Sequence, residues 1–319
     1  MSFAERLDLS PCVVVVKTPV VDRRGEPARL AQAGQGSAQQ LLAAAQTHEQ
    51  TLAEVVRVLA ERGIASRQER VDSLGAPAQR AIAAARLVVS VGGDGTLLTA
   101  SHWVRDGFLL GVNSAPGDSV GYFSLARRET FAATLDRILQ GALRPLSVAR
   151  LGVTLDGRLL PEPALNDIMA VHEHPAATSR YLLRLAEKEE EHRSSGLWIA
   201  GPAGSTAGIA SAGGRRMPLL SRRIQFRARE LYRAPGRTYE MASGFVAPGE
   251  SLLVESRMEQ GWLFLDGART SYRFPFGAKA EVRLSPEPLH LFTDPSRWAA
   301  PPPRELLANK LTLCDASQG

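Results

Sequence analysis

Residues 87–96, LVVSVGGDGT, set the reading of the whole chain. The run from Leu87 to Val91 is apolar and rich in valine, the pattern of a short strand buried on both faces. It passes directly into Gly92-Gly93-Asp94-Gly95-Thr96, and helical character is predicted from 97 to 104. Strand, glycine turn and helix in that order place the turn at the carboxyl end of a parallel sheet, where open α/β sheets bind their ligands. The neighbouring segments repeat the theme. Residues 12–16 and 108–112 read as further buried strands. Residues 38–62 form a helix with Leu52, Val55, Val56 and Leu59 on one face, stopped by Gly63. Pro77 suits the first turn of an alanine-rich helix over 78–85, where its missing N–H leaves nothing unpaired. Alternating strands and helices imply a parallel sheet covered on both faces.

Past about residue 145 the texture changes to short strands and frequent turns, with candidates at 150–155, 168–172, 181–186, 245–247, 252–255, 262–265 and 280–284. The predicted organisation is an α/β domain with a parallel sheet over 1–145, a mostly-β domain over 146–290, and a tail over 291–319. That tail is expected to be a short helix near 305–313 or an extended return to the first domain.

Composition narrows the function classes. Of 38 basic residues only Lys17, Lys188, Lys279 and Lys310 are lysine, so arginine is a chain-wide habit and by itself marks no site. The net charge of +5 is spread along the sequence without a nucleic-acid-binding pattern, so no nucleic-acid partner is expected. Cys12 and Cys314 lie far apart without metal-ligand spacing. No run of about 18 apolar residues occurs, and the first residues carry Glu5, Arg6 and Asp8. A cytoplasmic protein with no membrane partner is the expectation.

The chemistry gathers on two glycine-rich loops. In the first, the glycines let backbone N–H groups approach phosphate oxygens, the helix N-terminus adds partial positive charge, and Thr96 is placed to cap the helix. Asp94 is the unusual member. An acid in such a turn repels phosphate unless it takes a proton from an attacking hydroxyl or holds a divalent cation, and both roles belong to phosphoryl transfer. A plain tight turn with Asp94 as a helix cap is the bland alternative. The second loop, Gly201-Pro202-Ala203-Gly204-Ser205-Thr206, follows the apolar Leu197-Trp198-Ile199 and precedes the small residues 207–214. It offers backbone donors and two hydroxyls beside a helix start, although a closely packed turn explains its glycines equally well.

Taken together, GGDGT, Leu165-Asn166-Asp167 and GPAGSTAG resemble the NAD kinase family, whose motifs read GGDGT, NE and TPTGSTAY. The resemblance runs from Cys12 to about Gly267. It includes Leu110-Gly111-Val112-Asn113 and Leu265-Asp266-Gly267, and Val16-Lys17-Thr18, Ser119-Val120-Gly121-Tyr122 and Ser194-Ser195-Gly196-Leu197 are similar to the branch containing mitochondrial-type members. It implies a two-domain enzyme that moves the γ-phosphate of ATP, with Mg²⁺ or another divalent cation, to the 2′-hydroxyl of the adenosine ribose of NAD, giving NADP. It further implies a homo-oligomer, dimer or tetramer. Asp94 is then the base or orienting group, and Gly92, Gly93, Gly95 and Thr96 form its turn. Asn166 and Asp167 hold the NAD ribose and nicotinamide end. Thr206 and Ser211 bond the adenine, with Gly204, Ser205 and Ala207 beside them. Asn113 lines the same cleft and Arg193 lies near the dinucleotide phosphates.

Three departures stand out. Asp167 replaces the family's glutamate and is one methylene shorter. Ser195 stands where many members carry aspartate, and Gly208 where they carry an aromatic, which removes a stacking surface worth on the order of 1 kcal/mol. A changed preference between NAD and NADH is open on these grounds. Lipid kinases of the diacylglycerol and sphingosine type share a GGDGT-like turn, and a non-catalytic dinucleotide sensor is a further rival. The eight arginines between 215 and 237 read as a solvated face, and His172 with His174 as a surface pair.

Overall fold

Strand β1 (Cys12–Val16) buries all five of its side chains, which requires cover on both faces, and the chain supplies it. The computed structural model describes residues 7–22, 35–117, 120–232, 236 and 238–299. The 305–313 prediction, Cys314, Ser119, Arg233 and Arg237 lie outside them.

Helix α1 (Gln35–Glu61) leads to β2 (Ser66–Arg70), helix α2 (Ala76–Ala84), β3 (Leu87–Gly92), helix α3 (Asp94–Ser101) and β4 (Phe108–Asn113). Then come β5 (Ala126–Arg127), helix α4 (Phe131–Leu139) and β6 (Leu146–Val148). These strands form a sheet of order β2-β1-β3-β4 that is parallel throughout. It is completed by β19 (Leu289–Phe292), near the end of the described residues, which enters parallel to β4 and pairs with an antiparallel β6. One face packs Val14, Val16, Val89 and Leu110 against Val55 and Leu59 of α1 and Phe131 and Leu135 of α4. The other packs Val13, Val15 and Val88 against Ile82 of α2 and Leu97 and Ala100 of α3. Two-faced burial explains why these strands read as unbroken apolar runs.

The mostly-β part comprises β7 (Leu151–Leu155), β8 (Arg158–Leu159), β9 (Asp167–His172), β10 (Ser179–Leu185), β11 (Lys188–Ser194) and β12 (Leu197–Ala200). After the one-turn helix α5 (Gly208–Ser211) follow β13 (Ile224–Ala228), β14 (Ser243–Val246), β15 (Leu252–Ser256), β16 (Gly261–Leu265), β17 (Thr270–Arg273) and β18 (Lys279–Leu284). They make two six-stranded antiparallel sheets, β11-β10-β15-β18-β7-β8 and β14-β13-β12-β9-β16-β17. A single core holds Val153, Tyr181, Val254 and Val282 of the first sheet with Ile168, Ile199, Phe226 and Leu263 of the second, so the sheets stack as a sandwich.

Arg150 ties the two parts together. Fully buried, it donates from Nη1 to the carbonyls of Ser101 at 2.8 Å and Val104 at 2.9 Å, and from Nε to that of Glu287 at 3.0 Å. A cation at the carboxyl end of α3 satisfies carbonyls that the helix leaves open and complements its dipole. Burial lowers its pKa to about 10, still far above neutrality. Among the described residues no helix is long and apolar enough to cross a membrane.

Two expectations are corrected. The helix predicted over 97–104 starts three residues earlier, at Asp94, because Gly93 in extended conformation acts as its N-cap. Thr96 does not cap it. Thr96 is buried inside the first turn, and a Cβ on Gly92 would meet its Oγ1 at 2.4 Å, so Gly92 is there to let the turn fold over Thr96.

Candidate active site

The strand order 2-1-3-4 reverses direction between β1 and β3, which opens a crevice at their carboxyl ends. The GGDGT turn occupies it. Lys17 N–H, just past β1, donates to Val91 carbonyl at 3.0 Å, and Ser114 N–H, just past β4, donates to Gly92 carbonyl at 3.2 Å. Ser114 Oγ in turn lies 2.9 Å from His48 Nδ1 on α1. Burial, with Lys17 nearby, holds His48 below the usual imidazole pKa, so it is neutral at pH 7. Gly95 is exposed, and a Cβ there would meet nothing within 4 Å. The fold itself places no demand for glycine at that position, and the bare backbone leaves the N-terminus of α3 open to a phosphate.

Asp94 is held from outside its own helix. Its Oδ2 accepts Tyr122 N–H at 2.8 Å and its Oδ1 accepts Phe123 N–H at 2.9 Å. A carboxylate has about four acceptor positions, so each oxygen keeps one for an incoming hydroxyl. The helix-cap reading of Asp94 is thereby excluded.

The 121–123 turn is itself clamped by the segment Pro295–Trp298, which sequence reasoning did not single out. Arg297 Nη1 donates to Gly121 carbonyl at 2.9 Å and Tyr122 carbonyl at 2.7 Å, and Tyr122 hydroxyl donates back to Arg297 carbonyl. The Trp298 indole meets the Tyr122 ring edge-on at 4.8 Å and the Phe123 ring at 5.4 Å. Its Nε1 donates to Ala203 carbonyl at 2.8 Å. One buried tryptophan therefore links the Asp94 support to the second glycine loop.

In that loop Ala203–Thr206 forms a 3₁₀ turn between β12 and α5. Ser205 holds the turn from within: its hydroxyl is buried, donating to Pro202 carbonyl at 2.7 Å and accepting Met217 N–H at 2.9 Å. Thr206 and Ala207 are half-buried and Ser211 is exposed, at the rim. Gly204 lies so close to the Asn166 strand start that a Cβ would sit 1.8 Å from Asn166 carbonyl oxygen. Two motifs separated by nearly forty residues thus meet backbone to backbone.

Asn166 and Asp167 are organised by Asp266, a residue left out of the sequence-based site. Asp266 adopts φ +53° in the turn after β16, and its carboxylate accepts the N–H groups of Leu165 at 2.8 Å, Asn166 at 2.7 Å and Asp167 at 3.0 Å. His102 Nε2 approaches the same carboxylate at 3.0 Å. Asp167, itself buried, accepts Asn166 Nδ2 at 2.9 Å. Burial, reinforced by the neighbouring Asp266 charge, raises its pKa to about 7. Asn166 Oδ1 is buried without a hydrogen-bond partner, an acceptor left over for a ligand. Asn113 sits buried at the end of β4, with its Oδ1 accepting Ala115 N–H at 3.2 Å.

Arg193 stands apart on β11, at the edge of the other sheet of the sandwich, with no hydrogen bond or ion pair to either loop. Its Nε is buried and unpartnered. Arginines of the 215–237 segment are engaged with the protein: Arg223 lies over Phe245 at 4.4 Å, Arg216 donates to Ala299 carbonyl at 3.0 Å, and Arg227 donates to Ala212 carbonyl. His172 and His174 face each other at 5.9 Å, and among the described residues no group of three or more His, Cys, Asp or Glu could hold a metal ion.

Comparison with known proteins places this geometry. No family model matches the chain. A protein of Oryza sativa subsp. japonica named "Probable NADH kinase" is 37% identical over 218 residues, 61% of this chain and 67% of its own length. The "NADH kinase" of Arabidopsis thaliana is 32% identical over 229 residues, 65% of this chain and 72% of its own. Among solved structures, an NAD kinase from Archaeoglobus fulgidus in complex with ATP superposes with TM-score 0.64 at 20% identity, over 93% of this chain and 97% of that one. Yeast NADH kinase complexed with NADH gives 0.67 at 14% identity, over 99% and 90%. These likenesses bear out the two-part fold, and with the plant relatives they establish that the chain belongs to the NAD kinase family.

Proposed function

We propose that the protein transfers the γ-phosphate of ATP to the 2′-hydroxyl of the adenosine ribose of NAD or NADH. The observation that carries this reading is the Asp94 carboxylate, held by two backbone N–H groups at the open N-terminus of α3 with an acceptor position free on each oxygen. Phosphoryl transfer asks the protein mainly for alignment and neutralisation of charge. Asp94 takes or directs the proton of the attacking hydroxyl. The exposed turn at Gly95 and the α3 N-terminus receive phosphate oxygens. Asn166 Oδ1 and the Asp167 carboxyl meet the ribose hydroxyls of the dinucleotide, while Thr206, Ala207 and Ser211 line its adenine end. The structures of relatives described with ATP and with NADH support the two ligands.

Mg²⁺ fits this donor set as a cation carried by the nucleotide. Magnesium commonly binds through one or two carboxylates plus substrate phosphates, and Asp94 at the phosphate-facing turn is the residue that would meet it. When bound it supplies neutralisation of charge on the phosphates.

Steady-state assays of wild type and Asp94→Asn test the assignment. The substitution preserves size and loses the proton acceptor, and turnover is expected to fall by about 10²–10⁴-fold, with a loss of about 1–3 kcal/mol of stability because the amide NH2 faces one of the two backbone N–H groups that the carboxylate accepts. Near-normal turnover in the variant would remove Asp94 from the chemistry.

A further inference from the structure

The outer face of the sheet carrying Asn166 and Asp167 bears a row of large side chains. By strand register Phe264, Met169, Trp198 and Arg227 are successive cross-strand neighbours on β16, β9, β12 and β13. Asp167, two residues before Met169, shares their face. Together with Gly267 and Ala268, the first three and Asp167 line a mostly apolar pocket of about 200 Å³. Asp167 is the one carboxyl among its lining residues. The pocket is shaped by Gly208, where a Cβ would come within 2.8 Å of the Trp198 ring. Trp198 therefore fills the space that a side chain at 208 would need.

Positive charge flanks this pocket. The Arg229 guanidinium lies 6.0 Å from the Trp198 ring, and its Nη1 is 3.6 Å from Met169 sulfur. Its countercharge, Glu230 at 3.6 Å, is solvent-exposed, so it is screened by water. Arg227 makes no ion pair among the described residues. The electron-rich face of Trp198 is thus already approached by one cation.

Resting on the kinase reading above, we infer that this pocket seats the nicotinamide end of the dinucleotide and that Arg229 makes it select the neutral dihydronicotinamide of NADH over the cationic ring of NAD. The chemistry is a charge discrimination. The two acceptors differ at this end by one positive charge and a small change of ring shape, and a mostly apolar pocket beside the Arg229 guanidinium penalises the charged form, a penalty that the Asp167 carboxyl in the wall offsets only in its ionised fraction. Ser195, whose N–H donates to Arg229 carbonyl at 3.1 Å, brings no carboxylate to offset that charge.

The test is the ratio of kcat/KM for NADH to that for NAD, in wild type, Arg229→Gln, Ser195→Asp, and the distant control Arg223→Gln. Wild type is expected to favour NADH. Arg229→Gln and Ser195→Asp, which lower the local positive charge by independent routes, should each reduce the ratio by about 5- to 10-fold. Arg229→Lys should retain it, and Arg223→Gln should leave it unchanged. A loss of packing alone would lower both rates and leave the ratio alone. If both dinucleotides are phosphorylated and the ratio stays within twofold across Arg229→Gln and Ser195→Asp, or if wild type prefers NAD, the inference is overturned and the kinase reading stands. If folded wild type phosphorylates neither dinucleotide, the kinase reading itself fails and takes the inference with it.

Discussion

Gly204→Ala is the smallest change that probes whether the two central motifs must touch. A Cβ at 204 would lie 1.8 Å from Asn166 carbonyl oxygen and 2.5 Å from its carbonyl carbon. An ordinary carbon–oxygen approach is about 3.3 Å, so the loop and the start of β9 have to part by about 1.5 Å. Both obstacles are backbone, and Asn166 N–H is fixed to Asp266, so no flexible side chain can absorb the movement. A misplacement of about 1 Å can lower a rate by about 100-fold, which is about 2.7 kcal/mol of transition-state stabilisation. Overpacking of this kind destabilises by about 1–3 kcal/mol, or a few degrees of Tm in a chain of this size. Initial rates of NADP(H) formation, with thermal unfolding in parallel, measure both. A variant with kcat/KM within threefold of wild type and an unchanged Tm would show that the close approach is not required.

The remaining predictions concern the support of the site. Arg297→Ala strips Gly121 and Tyr122 carbonyls of their donor and should destabilise by about 1–3 kcal/mol, with kcat falling more than KM changes because the Asp94 support loosens; an unaltered kcat would remove the clamp from the account. Asp167 has a folded pKa of about 7 against the ordinary aspartate value of 3.8, so the folded state binds a proton more tightly than the unfolded one. Its contribution favours folding below about pH 4 and is lost as pH rises through 7. Denaturant unfolding from pH 4 to 8 should therefore show a fall in stability with pH that Asp167→Asn flattens, the variant being relatively more stable at pH 8, even with Asp266 and His102 packed alongside. A variant with the same slope as wild type would deny the raised pKa.

What the sequence disclosed follows from burial. β1, β3 and β4 are covered on both faces, so their apolar runs are visible without any partner, and the GGDGT turn is placed by what precedes and follows it. β2 (SRQER) and β11 (KEEEHRS) carry no apolar pattern because they are edge strands, held by ladder hydrogen bonds to β1 and β10, with mostly charged and polar side chains of which only His192 and Ser194 are buried. Helix α4 does carry a sequence signal, since Phe131, Leu135, Ile138 and Leu139 recur at helical spacing. An extended return to the first domain is an expectation for the tail from residue 291 on, whereas the insertion of residues 289–292 between β4 and β6 is set by the fold alone. The candidate site divides in the same way. Asp94, Asn166 and Asp167 stand inside local motifs. Asp266, Arg297, Trp298 and His48 act on those motifs from 40 to 200 residues away, where no spacing rule reaches, and only the late Asp266-Gly267 turn hinted at one of them. Trp198 and Gly208 are legible as a pair only once their atoms are seen to compete for one space.

The most direct measurement is to incubate purified protein with ATP radiolabelled in its γ-phosphate, magnesium chloride, and NAD or NADH, and to map the label. One labelled phosphate on the 2′ position of the adenosine ribose is expected, formed in step with ADP and lost in Asp94→Asn. ADP released without a labelled dinucleotide, or label appearing only when diacylglycerol is supplied, would contradict it.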